Sequence, residues 1–170
     1  MISIPQNTSD KNVFKTVEQF IEDKGFCIVD KDTQRPWGGF MVIDEDQSDQ
    51  FIQAFFPDLS FEDFKGFEKL SPKILIVAPG KRLSWQYHKR RAEIWRVIGG
   101  EAGVVVSDTD EQTQVEKLEL GESVSLKQGE RHRLVGLTRW GILAEIWKHT
   151  DPQYPSDEED IIRVEDDFGR

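Results

Sequence analysis

From Lys73 onward the chain is a succession of short apolar runs cut by turn residues, and this spacing constrains the fold more than any other feature. KILIVA is followed by PGKR, LSWQYH, AEIWRVIGG, AGVVVSD, QVEKLEL and SVSL, and after KQGE come RHRLVG and GILAEIW. Strands of this kind, rich in β-branched and aromatic residues, predict an all-β sandwich or barrel over residues 72–150. Helices are expected elsewhere. Residues 9–23 repeat apolar positions at Val13, Val17, Phe20 and Ile21, with Ser9 or Asp10 to cap the helix and Gly25 to stop it. GFCIVD and FMVID read as strands flanking the turn-like RPWGG, with Cys27 as a small buried hydrophobe. Residues 44–71 are acidic and polar, yet they carry Phe51, Phe55, Phe56, Phe61, Phe64 and Phe67. A disordered linker has no use for so many aromatics, so helices are expected over about 48–56 and 60–66, broken at Pro57.

At 170 residues, one domain is expected. Asp and Glu number 32 against 22 Lys and Arg, a formal charge of −10, which disfavours nucleic acid and anionic lipid as partners. No run approaches the roughly 18 apolar residues that span a bilayer. MISIPQNTSDK lacks a basic stretch followed by an apolar one, so a cytoplasmic location is expected. A single cysteine excludes an intramolecular disulfide.

The residues that can carry chemistry lie in LSWQYHKRRAEIW. Strand alternation places Ser84, Gln86 and His88 on one face, and Glu93, Trp95 and Val97 on one face of the next run. If the two runs form a hairpin around KRR, then Gln86, His88 and Glu93 converge, and His132 begins a later strand. An amide, two imidazoles and a carboxylate suit a divalent metal. Taken singly, each also has an ordinary reading: a hydrogen-bonded core histidine, a solvated glutamate.

The spacing resembles the first cupin motif: Gly80, five residues, Gln86, one residue, His88, four residues, Glu93, six residues, Gly100. The second motif is similar to Gly121, Lys127, Gly129, His132 and Gly136, with Lys127 where a Pro and Gly136 where an Asn is usual. More narrowly, RPWGG, Lys73, LSWQYHKRRAEIW, AEIW at 144–147 and IIRVEDDFGR at 161–170 look like the type II mannose-6-phosphate isomerase cupin. That domain also forms the C-terminal part of bifunctional isomerase/guanylyltransferases; no glycine-rich nucleotidyltransferase region accompanies it here. Gln86 in place of the first His belongs to that pattern, whereas Trp85 and Phe168 depart from it. The resemblance covers residues 33–43 and 72–170, leaving 44–71 as an insertion and the N-terminal helix outside.

The resemblance implies a mainly β cupin, a double-stranded β-helix or jelly-roll barrel. As a single domain over 1–170, it would have an N-terminal helix (9–23), a helical insertion (44–71), a barrel core (72–150) and an acidic closing segment (151–170). It implies interconversion of mannose-6-phosphate and fructose-6-phosphate through a cis-enediol. The expected cofactor is one divalent ion, zinc first and manganese, cobalt, nickel or iron as alternatives, held by Gln86, His88, Glu93 and His132. Glu93, Glu145 and Lys73 are the candidates for the base. Ser84, Arg91, Arg163 and Arg170 are the candidates for binding the sugar phosphate. The closing segment is expected to fold back, bury Phe168 and bring Arg170 beside Arg91. A homodimer is the expectation from fold analogy. The rival readings are another metal-dependent cupin, such as a dioxygenase, and a cupin that binds sugar or a partner without catalysis.

Overall fold

The computed structural model describes residues 1–5, 8–67 and 69–169. Helix α1 (Asp10–Asp23) buries Val13, Val17 and Ile21, the stripe set by their four-residue spacing, and Gly25 ends it at φ +84°. Strands β1 (Ile28–Arg35) and β2 (Gly38–Ile43) form a hairpin, and β2 pairs antiparallel with β3 (Lys73–Val77). The helical part of 44–71 is one α-helix, α2 (Ser48–Phe55), preceded by a 3-10 turn at Glu45–Gln47; the second expected helix is only a 3-10 turn, Phe61–Phe64.

The barrel rests on two long strands, β5 (Arg91–Ser107) and β8 (Arg131–His149), which pair antiparallel from Arg91↔His149 to Ser107↔Arg131. The sequence reading divides each of them in two. They remain continuous because the ladder bends through irregularities between Val97 and Ala102 without breaking. At that bend Gly100 has φ +65°, and a Cβ there would lie 1.9 Å from the Trp140 carbonyl oxygen. The opposite edges are completed by β4 (Trp85–Tyr87), β6 (Glu116–Leu118), β7 (Ser123–Leu126) and β9 (Ile162–Glu165). β6 and β7 pair with β5, while β4 lies between β8 and β9. The result is a jelly-roll barrel, the cupin architecture.

Consecutive residues on the central strands enter different cores. Leu75, Val77, Trp95, Val97, Leu134 and Leu143 fill the barrel interior. Ile74, Ile76, Ile94, Ile98, Ile142 and Ile146 face outward, where α1, α2 and the Phe cluster cover them. A strand buried on both sides reads as an unbroken apolar run, which is why KILIV lacks alternation. Phe51 and Phe55 meet edge to face at 4.8 Å, and Phe26 stacks on Phe55 at 5.7 Å. The aromatic segment is thus the outer lining of the sheet.

Two further sequence readings fail. β4 makes no hairpin with β5; it pairs with β8 through Gln86↔His132 and with β9 through Gln86↔Arg163. The KRR turn therefore carries the chain between different parts of the barrel. Cys27 is exposed, because its neighbour Phe26 takes the inward position.

The closing segment does fold back, as β9 against β4, but Phe168 is only half-buried. Asp167 binds Arg82 at 2.6 Å, and Glu165 and Asp167 flank the buried Arg133. Charge pairing therefore holds the end of this segment where apolar burial was expected. Arg170 lies outside the described residues.

Candidate metal centre and active site

Pairing of Gln86 with His132 sets β4 and the start of β8 side by side, and His88 follows at the end of β4. Glu93, near the start of β5, reaches the same point from the neighbouring part of the barrel. His88 Nε2 lies 3.1 Å from Glu93 Oε1, and His132 Nε2 lies 3.6 Å from Glu93 Oε2. The three side chains are 1–3% exposed.

The tautomers follow from the other ring nitrogens. His132 Nδ1 faces the Glu130 carbonyl at 3.0 Å, and His88 Nδ1 faces the Asp160 carbonyl. Each Nδ1 must donate to its carbonyl, so in its neutral form each ring turns an Nε2 lone pair toward the Glu93 carboxylate. Burial pushes His132 down to about 4, which keeps its ring neutral at physiological pH even though Glu93 opposes the shift. His132 Nε2 is buried without a hydrogen-bond partner. Converging lone pairs on buried atoms, one of them orphaned, call for a cation among them. The donor set of two imidazoles and a carboxylate fits a divalent metal, with ring orientation already fixed by backbone carbonyls.

Gln86 lies against this set. Its Nε2 is 3.5 Å from His88 Nε2, and its Oε1 accepts a hydrogen bond from Ser84 at 2.5 Å. The amide oxygen expected as a ligand thus points to Ser84. A half-turn of the amide would exchange the two atoms, and the Ser84 hydroxyl can donate or accept.

Beside the cluster opens a cavity of about 310 Å³ lined by Lys73, Ser84, Gln86, Arg91, Glu93, Glu145 and Arg163. Trp37, Phe40, Leu75, Trp95 and Trp147 supply its apolar walls. Sheet register explains the grouping: Lys73 pairs with Glu145, Glu145 with Trp95, and Glu93 with Trp147. Glu145 accepts a hydrogen bond from Trp95 Nε1 at 2.9 Å. Lys73 Nζ stands 3.8 Å over the Trp147 ring and is ion-paired with Glu158.

The two buried carboxyls behave oppositely. Burial works to raise Glu93, but the positive charges of His88, when that ring is protonated, and of Arg91 override it and hold that carboxyl well below the usual range. Burial and the Glu93 charge push Glu145 up to about 8, against the pull of Lys73 and Arg91.

Arg91 lines the cavity, but its donors are used within the protein. Nε donates to Glu93 Oε1 at 2.7 Å, and Nη1 donates to Ser156 Oγ at 2.9 Å and to the Asp157 carbonyl at 3.0 Å. Nη2 donates to His88 Nε2 at 3.2 Å, and the guanidinium lies 3.6 Å over Trp147. These contacts make Arg91 a strut that braces His88 and Glu93 from the Ser156–Asp157 loop; phosphate binding is the sequence expectation for it.

The strut depends on Asp160, which sequence reasoning missed. Its carboxylate accepts from the Lys89 and Arg90 amides at 3.0 and 2.9 Å and from Ser156 Oγ at 2.7 Å, while its carbonyl holds His88. Within PSDEED nothing marks one acid as internal. Trp147 had a signal, since it sits two residues from Glu145 and so shares its face.

The family model described as "Mannose-6-phosphate isomerase C-terminal" matches residues 45–166. The chain belongs to this family. The match includes the aromatic segment, read above as an insertion, and leaves out RPWGG. Among curated relatives of this mannose-6-phosphate isomerase C-terminal-type cupin, a mannose-1-phosphate guanylyltransferase of Salmonella montevideo is 27% identical over 161 residues, covering 94% of this chain and 28% of that protein. Xanthan biosynthesis protein XanB of Xanthomonas campestris pv. campestris (strain B100) is 31% identical over 136 residues, covering 80% and 23%. The chain spans less than a third of the length of these relatives. Among solved structures, a variant of the Bacillus subtilis oxalate decarboxylase OxdC aligns at TM-score 0.55 and 15% identity, covering 79% of this chain and 30% of that one; the likeness concerns the fold alone. No helix among the described residues is long and apolar enough to cross a membrane.

Proposed function

We propose that the chain is a metal-dependent aldose–ketose isomerase that interconverts mannose-6-phosphate and fructose-6-phosphate. The observation that carries this reading is the convergence of His88, Glu93 and His132 on one point beside a cavity that Lys73 and Glu145, paired across the sheet, also line. Family membership and the named chemistry of the relatives, both centred on mannose phosphates, support it.

His88, Glu93 and His132 would hold the ion, with Gln86 joining them through its amide oxygen and zinc the first candidate. A divalent ion there would supply positive charge against the negative charge that develops on the substrate oxygens. The proton transfers fall to the protein. Glu145, a carboxylate once a bound cation offsets the Glu93 charge that raises it, takes the proton from C2 of the aldose and returns it to C1. Lys73, its register neighbour, gives a proton to O1 as the C2–H bond breaks. It recovers one from O2 as the C1–H bond forms, so the cis-enediol is the only intermediate. Trp37, Trp95 and Trp147 line the cavity and keep the enediol from bulk water.

The test is a coupled assay of chelated and zinc-reconstituted protein with mannose-6-phosphate, run beside metal analysis. Wild-type protein should bind one ion per chain and turn over without consuming oxygen. His88→Ala and His132→Ala should lose both metal and turnover. Glu145→Gln should keep the metal and lose turnover by about two orders of magnitude or more. Absence of turnover with every hexose phosphate after reconstitution would refute the isomerase reading. Full metal retention by both histidine variants would refute the ligand set.

A further inference from the structure

Of the chain's three histidines, His149 is the one that the sequence motifs leave unassigned. It closes β8 directly opposite Arg91, so the two side chains share a face of the sheet. The residue is buried, yet it belongs neither to the metal cluster nor to the cavity beside it. Both ring nitrogens are engaged, and their partners fix the tautomer. The Ser156 amide donates to Nδ1 at 2.8 Å, so Nδ1 carries the lone pair and Nε2 the proton. Nε2 faces Ser71 Oγ at 3.4 Å. That serine has φ +47°, the only non-glycine residue at positive φ among the described residues, and its amide donates to Glu45 at 2.9 Å. The ring is thus used the opposite way from His88 and His132, whose Nδ1 atoms face carbonyls. Burial, joined by the charges of Lys69, Arg91 and Arg90 and opposed by Asp160, pushes His149 down to about 4, which preserves the acceptor at neutral pH.

We propose that His149 is a positioning residue for the metal centre: it latches the loop between β8 and β9, and the loop holds Arg91, Glu93 and His88 ready for a divalent ion. The inference rests on the metal-ligand set described above and not on the identity of the substrate. The path of contacts is continuous. Ser156, whose amide the ring holds, places its hydroxyl 2.9 Å from Arg91 Nη1 and 2.7 Å from the Asp160 carboxylate. One residue on, the Asp157 carbonyl accepts from Arg91 at 3.0 Å, and the Asp160 carbonyl holds His88 Nδ1. Arg91 then donates to Glu93 and His88. Removing the ring nitrogen strands a buried backbone N–H, which regains a partner only if the loop moves out toward water. That movement would withdraw the supports of two ligands together. Outer partners of this kind orient the groups that bind a metal without touching it.

The experiment compares wild type with His149→Leu, His149→Asn and Val17→Ala. Asn sets an oxygen where Nδ1 accepts and omits the donor to Ser71, whereas Leu has a similar shape and accepts nothing. Val17→Ala, in the outer core on α1, controls for loss of stability alone, and thermal melts confirm folding. Zinc affinity is measured by competition with a chromophoric chelator, ligand geometry by the visible spectrum of cobalt-loaded protein, and loop opening by hydrogen exchange of the metal-free protein. His149→Leu should bind zinc about 10–100-fold more weakly. It should also change the cobalt spectrum and exchange faster over both 151–160 and 88–93. His149→Asn and Val17→Ala should keep the wild-type spectrum and an affinity within about threefold of wild type. Should His149→Leu not fold, His149→Gln, whose amide reaches toward Ser71 and not Ser156, takes its place with the same expected loss. Wild-type zinc affinity in the Leu variant, or an Asn variant as weak as Leu, would overturn the latch. So would an equal loss in Val17→Ala. Wild type that binds no metal would refute the ligand set, and exchange then decides the latch by itself: acceleration over 88–93 confined to the Leu variant upholds it, and unchanged exchange there overturns it.

Discussion

Replacing Glu145 with Gln provides a test of the cavity electrostatics that does not depend on activity. In the metal-free folded protein, burial and Glu93 raise this carboxyl from 4.5 to about 8. The folded state therefore holds the proton more tightly than the unfolded chain does. As pH rises through 4.5 the unfolded chain loses its proton first, so the stability associated with Glu145 is largest below 4.5. It declines toward pH 8 and is flat above. A shift of that size corresponds to an upper value of about 5 kcal/mol, and relaxation around Lys73 and Glu93 should leave ~2 kcal/mol. Gln has the same shape and keeps the oxygen that accepts from Trp95 Nε1, so the variant loses the titration and little else. Urea midpoints followed by tryptophan fluorescence, in chelator, should be measured for both proteins between pH 5 and 8.5. The variant should gain about 2 kcal/mol on wild type across that range. A wild-type-minus-variant difference that stays constant with pH would show that Glu145 is an ordinary carboxyl, and its role as base would lose its physical support.

Two further outcomes are expected. Asp160→Ala removes the acceptor for two backbone amides and the Ser156 hydroxyl, and should lower stability by about 2–4 kcal/mol in thermal melts, with Asp160→Asn milder because one acceptor remains. Gly136→Ala places a Cβ 1.9 Å from the Ala78 carbonyl oxygen, so the backbone must move; a loss of about 2–4 kcal/mol is expected in denaturant titration, and a loss below 0.5 kcal/mol would show that the site yields freely.

Much of the architecture is legible from local pattern. The spacing of Val13, Val17 and Ile21 reports α1, and the apolar runs from Lys73 report the barrel strands. Alternation reports that Gln86 and His88 share a face, and the motif resemblance, more than any expected pairing, gathers Glu93 and His132 with them. Pairing partners are not legible that way. The expected β4–β5 hairpin is replaced by pairing of β4 with β8 and β9, a choice made by barrel closure over dozens of intervening residues. The long strands were divided because a bulge and a turn both use glycine, and only the ladder distinguishes them. The functions of Arg91 and Asp160 were obscured for a related reason. A charged residue in a charged stretch looks solvated until the acceptors and donors around it are known, and here those come from a loop 65–72 residues away.

That loop, between β8 and β9, has a consequence for how variation in this chain should be read. Its acid-rich sequence has the look of a segment free to drift, yet its residues divide into two populations. Glu159 projects into solvent with only a backbone contact, whereas Ser156 and Asp160 are 2% and 7% exposed and clasp the strut and a histidine of the cluster. Mutational tolerance along DPQYPSDEED should therefore be bimodal, with the intolerant positions hidden inside an acidic stretch. A search profile that down-weights the stretch as biased composition would discard the two positions that best distinguish an intact site from a decayed one.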